Sequence, residues 1–335
     1  MRAAWPCAVL AAGVVLGAQA ATPEEVLARM SEAARTVNYE GVVIYRGDQM
    51  LETFRVTHRF QDGVERERVQ SLNGEPREIH KQDNVVTCLL PRDRRLTAAR
   101  PTPKDLFPAM TAERIRQIVQ VYEFDDLGTE RVAGRICRRI AITPRDQYRY
   151  GYEIWADEQT AVPLQVNLIG QDGVVLEQMM FTEVEFPAEI PDAAFVVDPQ
   201  RAAQLPQVIR TEVAPPDEPA ASLPAPPGWE LDRMPPGYRV IMHDQRTLPN
   251  GSGTIHHWVL SDGLSAISIF GKQRQNAPER PAQPVTQMGA VHAYRRRVGS
   301  FHITVVGEAP SMTVRMIGDG VIPAVTPATE VDAAP

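Results

Sequence analysis

The chain has 335 residues, 43% hydrophobic and 23% charged, enough for two domains that each bury a sizeable core. Its 35 lysines and arginines stand against 42 acids, a net charge of −7, which argues against a nucleic-acid binder because neutralising phosphates takes a basic surface. Only Lys81, Lys104 and Lys272 are lysines, so the cations favour two-pronged contacts to carboxylate or phosphate.

Residues 1–20 read as a cleaved export signal. Arg2 is its cationic start, Val9 to Leu16 its apolar stretch, and Ala18-Gln19-Ala20 its small-residue cleavage site. The run is too short to span a bilayer, and no later stretch approaches about eighteen apolar residues. Removing it deletes Arg2 and no acid, so the net charge becomes −7 − 1 = −8. An exported, soluble chain is expected. Cys7 leaves with the signal, and the remaining Cys88 and Cys137 sit in strand-like contexts. An exported compartment permits a disulfide between them; the alternative is two small buried residues on separate strands.

Thr22-Pro23-Glu24-Glu25 opens a helix, with Thr22 as cap, Pro23 at the first helical position and Glu25 completing a capping box. Val26, Leu27, Met30, Ala33, Ala34 and Val37 then recur at helical spacing. From Tyr39 the period becomes two. Five strand-like runs are separated by Gly47-Asp48, Asp62-Gly63, Asn73-Gly74 and Asp83-Asn84, residues that tolerate the positive φ of hairpin turns. Pro103 to about Gln120 is predicted helical, and five more strand-like runs end near Phe186. About ten strands with so few helices predict a large, curved antiparallel sheet, an unclosed barrel with helices on its concave face.

Ten of the 29 prolines fall between residues 199 and 236, and residues 199–227 are read as a semi-rigid linker. The expected organisation is a half-barrel domain over 21–198, that linker, a small α+β domain over 228–322 and a disordered tail over 323–335. The small domain has five strand-like runs and a closing helix from Ser311 to about Asp319. The fold class is α+β.

No nucleophile elbow, zinc-protease motif, P-loop or dinucleotide fingerprint occurs, so no catalytic residue, cofactor or metal is assigned. Five of the seven histidines, His243, His256, His257, His292 and His302, lie in the second domain, but none are spaced as a metal-binding pair. Acid pairs such as Asp125-Asp126 and Glu183/Glu185 sit where exposed acids are expected.

What stands out is binding chemistry. Tyr148, Tyr150 and Tyr152 alternate onto one face, with Trp155 on the other, four of the 21 aromatics within eight residues. With the soft, adaptable Leu176, Met179, Met180 and Phe181 they are candidates to line an acyl cavity; plain core packing is the alternative. Two arginine groups, Arg92/Arg94/Arg95/Arg100 and Arg295/Arg296/Arg297, are unusual in an acidic chain. On a strand, Arg295 and Arg297 share one face while Arg296 joins Tyr294 on the other, so one side offers cations near an aromatic to a partner. The alternative is that these arginines only pair with acids such as Glu308 and Asp319.

The stretches AITPRDQYRYGYEIWADEQTAVPLQVNLIGQDGVVLEQMMFTEVEF, LPAPPGWELDRMPPGYRV, WVLSDGLSAISIF and GAVHAYRRRVGSFHITVVGEAPSMTVRMI closely resemble the MucB/RseB family, with MPPGYRV, LSDGL and TVVGEAP like its recurring segments. The resemblance runs in order from the signal to about Gly320 and rests on no single catalytic motif. It implies a periplasmic negative regulator of the sigma-E (AlgU-type) envelope-stress response. Such a protein binds the periplasmic region of an RseA- or MucA-type anti-sigma factor, shields it from site-1 cleavage, and senses lipopolysaccharide or lipoprotein acyl chains through a large domain similar to the carriers LolA and LolB. A lipoprotein or lipid carrier of that type is the alternative function. A periplasmic hydrolase comes third, having no nameable nucleophile–base pair. The oligomeric state, including a homo-oligomer, stays open.

Overall fold

A computed structural model describes residues 21–48, 50–91, 110–212, 228–247, 253–273 and 282–324. The predicted signal, the arginines at 92–100, the first part of the predicted 103–120 helix and most of the tail lie outside them.

Helix α1 (Pro23–Thr36) starts as the sequence dictates: Thr22 accepts from the Glu25 amide, Glu25 reaches back to the Thr22 amide, and Val26, Leu27, Met30 and Ala33 are buried. A meander follows in strands β1 (Tyr39–Gly47), β2 (Met50–Gln61), β3 (Val64–Ser71), β4 (Glu78–Gln82) and β5 (Val85–Leu90). Its turns place Asp48, Asp62, Gly63, Gly74 and Asp83 at positive φ, as their residue types anticipate. Helix α2 (Ala112–Ile118), capped by Thr111, is shorter than predicted; β6 (Tyr122–Val132), β7 (Arg135–Pro144), β8 (Gly151–Asp157), β9 (Pro163–Ile169) and β10 (Val175–Glu185) come next. Because β10 pairs with β1, the two halves of the meander join into one antiparallel sheet whose outer strands do not meet. Leu27 and Met30 of α1, with Met110 and Ile118, are fully buried under the sheet.

The linker expectation needs a correction. Residues 199–212 form helix α3 (Pro199–Gln204) and strand β11 (Gln207–Glu212), and β11 adds an eleventh strand beside β5. Six residues free of proline, with Val208 and Ile209 among them, can donate a full ladder where the flanking prolines cannot. Only 213–227 remain for a spacer.

The small unit opens with β12 (Trp229–Leu231), followed by β13 (Arg239–Thr247), β14 (Thr254–Ser261), β15 (Ala266–Gln273), β16 (Thr286–Met288), β17 (Val291–Val298), β18 (Phe301–Glu308), α4 (Ser311–Gly320) and β19 (Val321–Pro323). Strands β13-β14-β15-β18-β17-β16 make one sheet, and β12 pairs with β19, so Pro323 belongs to the fold and not to the tail. Trp229, Leu260, Ile267, Ile269, Val305, Val314 and Ile317 bury one face of that sheet under α4.

Candidate partner-binding site

The two units meet along a seam, and the tyrosine run lies in it. Strand β8 begins at Gly151, so Tyr148 and Tyr150 precede it. Tyr150 Oη donates to the Ala290 carbonyl at 3.3 Å, and Thr313 Oγ1 of α4 donates to the Tyr148 carbonyl at 2.7 Å. Tyr152, Met179 and Phe181 are buried in the large core. The candidate acyl lining is therefore corrected: these side chains fill the core and the seam, because the curved sheet turns its inward residues onto α1 and onto one another. A cavity of about 600 Å³ opens beside Asp146 and Gln147, lined also by Ile142, Pro144 and Ile169, and of the five candidates it touches Tyr152 alone.

Arg149, which sequence reasoning passed over, is the pin of the seam. Its side chain is wholly buried and its Nη2 donates to the Pro236 carbonyl. Its Nε lies 3.2 Å from Asp146 and 3.5 Å from Asp262, while the rings of Tyr122 and Tyr238 flank the guanidinium at 5.6 and 5.2 Å. Asp262 also accepts from Tyr122 Oη at 3.1 Å and from the Leu264 and Ser265 amides. Gly237 and Gly263, both at positive φ, let the small unit's loops close in: a methyl on Gly263 would sit 2.6 Å from Ile118, and one on Gly237 would sit 2.7 Å from Val121. The sequence signal was present in the LSDGL segment, whose aspartate precedes two amides it can cap.

In the arginine trio the structure separates two roles. Tyr294 and Arg296 face inward: Tyr294 Oη donates to Asp319 at 2.7 Å, and Arg296 Nη1 donates to the Gly318 and Asp319 carbonyls that end α4. Burial, then the Asp319 contact, pushes the Tyr294 hydroxyl above its ordinary value. Arg295 is exposed and Arg297 half-buried on the opposite face, which no described helix covers, where Arg297 Nε donates to the Gly299 carbonyl at 2.8 Å. Two rows cross that face by strand register. One is Asp244, His257, Phe270, Thr304 and Arg295; the other is Arg246, Ile255, Lys272, His302 and Arg297. His257 and Phe270 stack at 4.3 Å. Among the described residues four cations and one acid, Asp244, which pairs with Arg246 at 2.8 Å, surround an aromatic pair, in a chain that is acidic as a whole.

The cysteines do not bridge. Cys88 on β5 and Cys137 on β7 are both free, and seven strands of the sheet lie between theirs. Burial pushes the Cys88 thiol up; burial, then Asp157, pushes Cys137 to about 11. Mass spectrometry of unreduced residues 21–335 should count two free thiols, slow to alkylate at pH 8 because little thiolate forms. A mass short by two hydrogens would contradict the separation of the strands. Among the described residues no three His, Cys, Asp or Glu side chains gather as a metal site, and no helix is long and apolar enough to cross a membrane.

Residues 22–199 match the MucB/RseB N-terminal domain and residues 224–322 the MucB/RseB C-terminal domain. Sigma factor AlgU regulatory protein MucB of Pseudomonas aeruginosa is 28% identical over 310 residues, covering 91% of this chain and 92% of that protein. Sigma-E factor regulatory protein RseB of Escherichia coli K12 is 26% identical over 331 residues, covering 96% and 98%. The crystal structure of MucB in complex with MucA(peri) shares the fold, with a TM-score of 0.71 at 24% identity over 91% of this chain and all of that one. With both folded units matched in sequence order, the chain belongs to the MucB/RseB family.

Proposed function

We propose that the chain is a periplasmic regulator that binds the periplasmic region of a transmembrane anti-sigma factor, shields it from site-1 cleavage and so restrains a sigma-E-type response. Membership of a family whose relatives are named for sigma-factor regulation, one of them crystallised with MucA(peri), supports it. The export signal read at residues 1–20 supports action in the periplasm. The observation that carries the site is the uncovered face of the small sheet, where Arg246, Lys272, Arg295 and Arg297 border the His257/Phe270 stack. Such a face suits a segment carrying acidic and apolar residues, drawn in by charge and held by aromatic burial. The lipid-carrier alternative loses ground, because Leu27, Met30, Met110 and Ile118 already occupy the space under the large sheet.

The test separates the two arginine roles. Arg295→Ala with Arg297→Ala should slow association with a MucA/RseA-type periplasmic region on the order of tenfold at low salt, and should weaken protection from site-1 cleavage. The loss should shrink as salt rises, since exposed charges are screened within about 8 Å at physiological ionic strength. Arg296→Ala should instead lower the melting temperature, costing about 1–2 kcal/mol for lost bonds to the end of α4. A well-folded double variant that binds and protects like the wild type would remove this face from the mechanism.

A further inference from the structure

The same face runs, at its other end, into the large unit, and a carboxylate from each unit lies there beside the turn that leads into β17. Glu177 of β10 is 7% exposed and accepts from Tyr45 Oη at 2.8 Å. Its Oε1 lies 3.7 Å from where a Cβ on Gly289 would stand, against the turn that leads into β17. Glu308 ends β18 beside Val291 of that strand, half-buried. No described arginine or lysine forms an ion pair with either acid. Around them stand Tyr45, Asp48 and Glu52 from β1, its turn and β2, Tyr150 and Tyr152 from β8 and the residues before it, and His292 from the small unit. Arg77 is held by Glu52 at 2.8 Å, and the His292 Nδ1 donates to the Ala309 carbonyl at 2.9 Å.

We propose that Glu177 and Glu308 form a proton-operated latch between the two units: a proton on Glu308 lets the seam close, and its loss sets two like charges against each other across it. Burial, and then the charge of Glu177, hold the Glu308 carboxyl up to about 7 in the closed seam. Once the units part, water and distance return it toward the ordinary 4.5. A group whose value is raised in one state supports that state fully below the lower value and stops doing so as pH rises through the higher one. The open-to-closed ratio therefore climbs roughly seventyfold between pH 5 and pH 8. The latch makes domain arrangement answer to pH whatever partner the small unit carries.

Energy transfer between one dye on each unit reads the arrangement in residues 21–335, with Cys88→Ala and Cys137→Ala leaving only the labelling cysteines. An Asp262→Asn background weakens the Arg149 pin and brings the equilibrium into range. The closed fraction should fall as pH rises from 5 toward 7 and level off above it. Glu308→Gln should stay closed through pH 8, and Glu177→Gln, which removes the like charge but not the burial, should shrink the response without abolishing it. An undiminished pH response in Glu308→Gln would place the titration elsewhere, and a weakened-pin chain with no pH response would dispose of the latch.

Discussion

Arg149→Ala is expected to cost about 3–5 kcal/mol, because it leaves Asp262 buried without its cation and empties the space between two tyrosine rings. Calorimetry should show the loss as an earlier, broader transition, with the two units melting less cooperatively. Small-angle scattering at the same temperature should show a larger radius, since Arg149 is the charged centre of the seam and the bonds that remain, from Tyr122, Tyr150, Thr313 and Arg239, lie around it. Arg149→Lys should fall between: an ammonium retains the charge but cannot reach Pro236 and both acids as a planar fork does. An alanine variant with unchanged melting and scattering would mean that the pin bears no load.

The second large effect is at the opposite edge of the large sheet. Glu78 is fully buried and takes bonds from Arg68 at 2.7 Å, His80 at 2.7 Å and Gln70 at 3.2 Å, while Arg201 of α3 ion-pairs with it at 3.0 Å. Burial pushes its carboxyl up, but bonds from His80, Arg68 and Gln70 outweigh that and hold it at about 2, against an ordinary 4.5. Its stabilisation is therefore complete above about pH 5 and drains away as pH falls toward 2, a total of about 3 kcal/mol. Glu78→Gln should remove a similar amount at neutral pH and flatten the acid limb of the stability curve. Hydrogen exchange should quicken first in β11, because Arg201 is what ties α3 to β3 and β4 through Glu78, Ser71 and Arg77. A glutamine variant whose acid limb matches the wild type would show that other carboxylates carry it.

Much of the architecture was legible without coordinates because it is encoded locally. Thr22 and Glu25 cap α1 with atoms three residues apart, and Asp62, Gly63 and Gly74 adopt positive φ as their turns require. Alternation from Tyr39 onward sorts side chains to two faces before any partner strand is known. The proline-poor stretch 207–212 was misread because composition was averaged over a window wider than one strand, so β11 was counted as spacer.

What the sequence by itself determined is the first helix, the meander with its turns and caps, the α+β class and the family, since each depends on residues close along the chain or on an ordered pattern along its whole length. Only the tertiary structure decided which side of each strand is covered and by what. Tyr150 reaches Ala290 and Arg149 reaches Asp262 across more than a hundred residues. Arg296 is spent on α4 while Arg295, one residue away, stays exposed. A period of two says that neighbouring side chains part company, but not which of them meets water. That depends on the element packed above the strand, and the burial it imposes sets the charge state of Glu308 and the pairing of Arg149 alike.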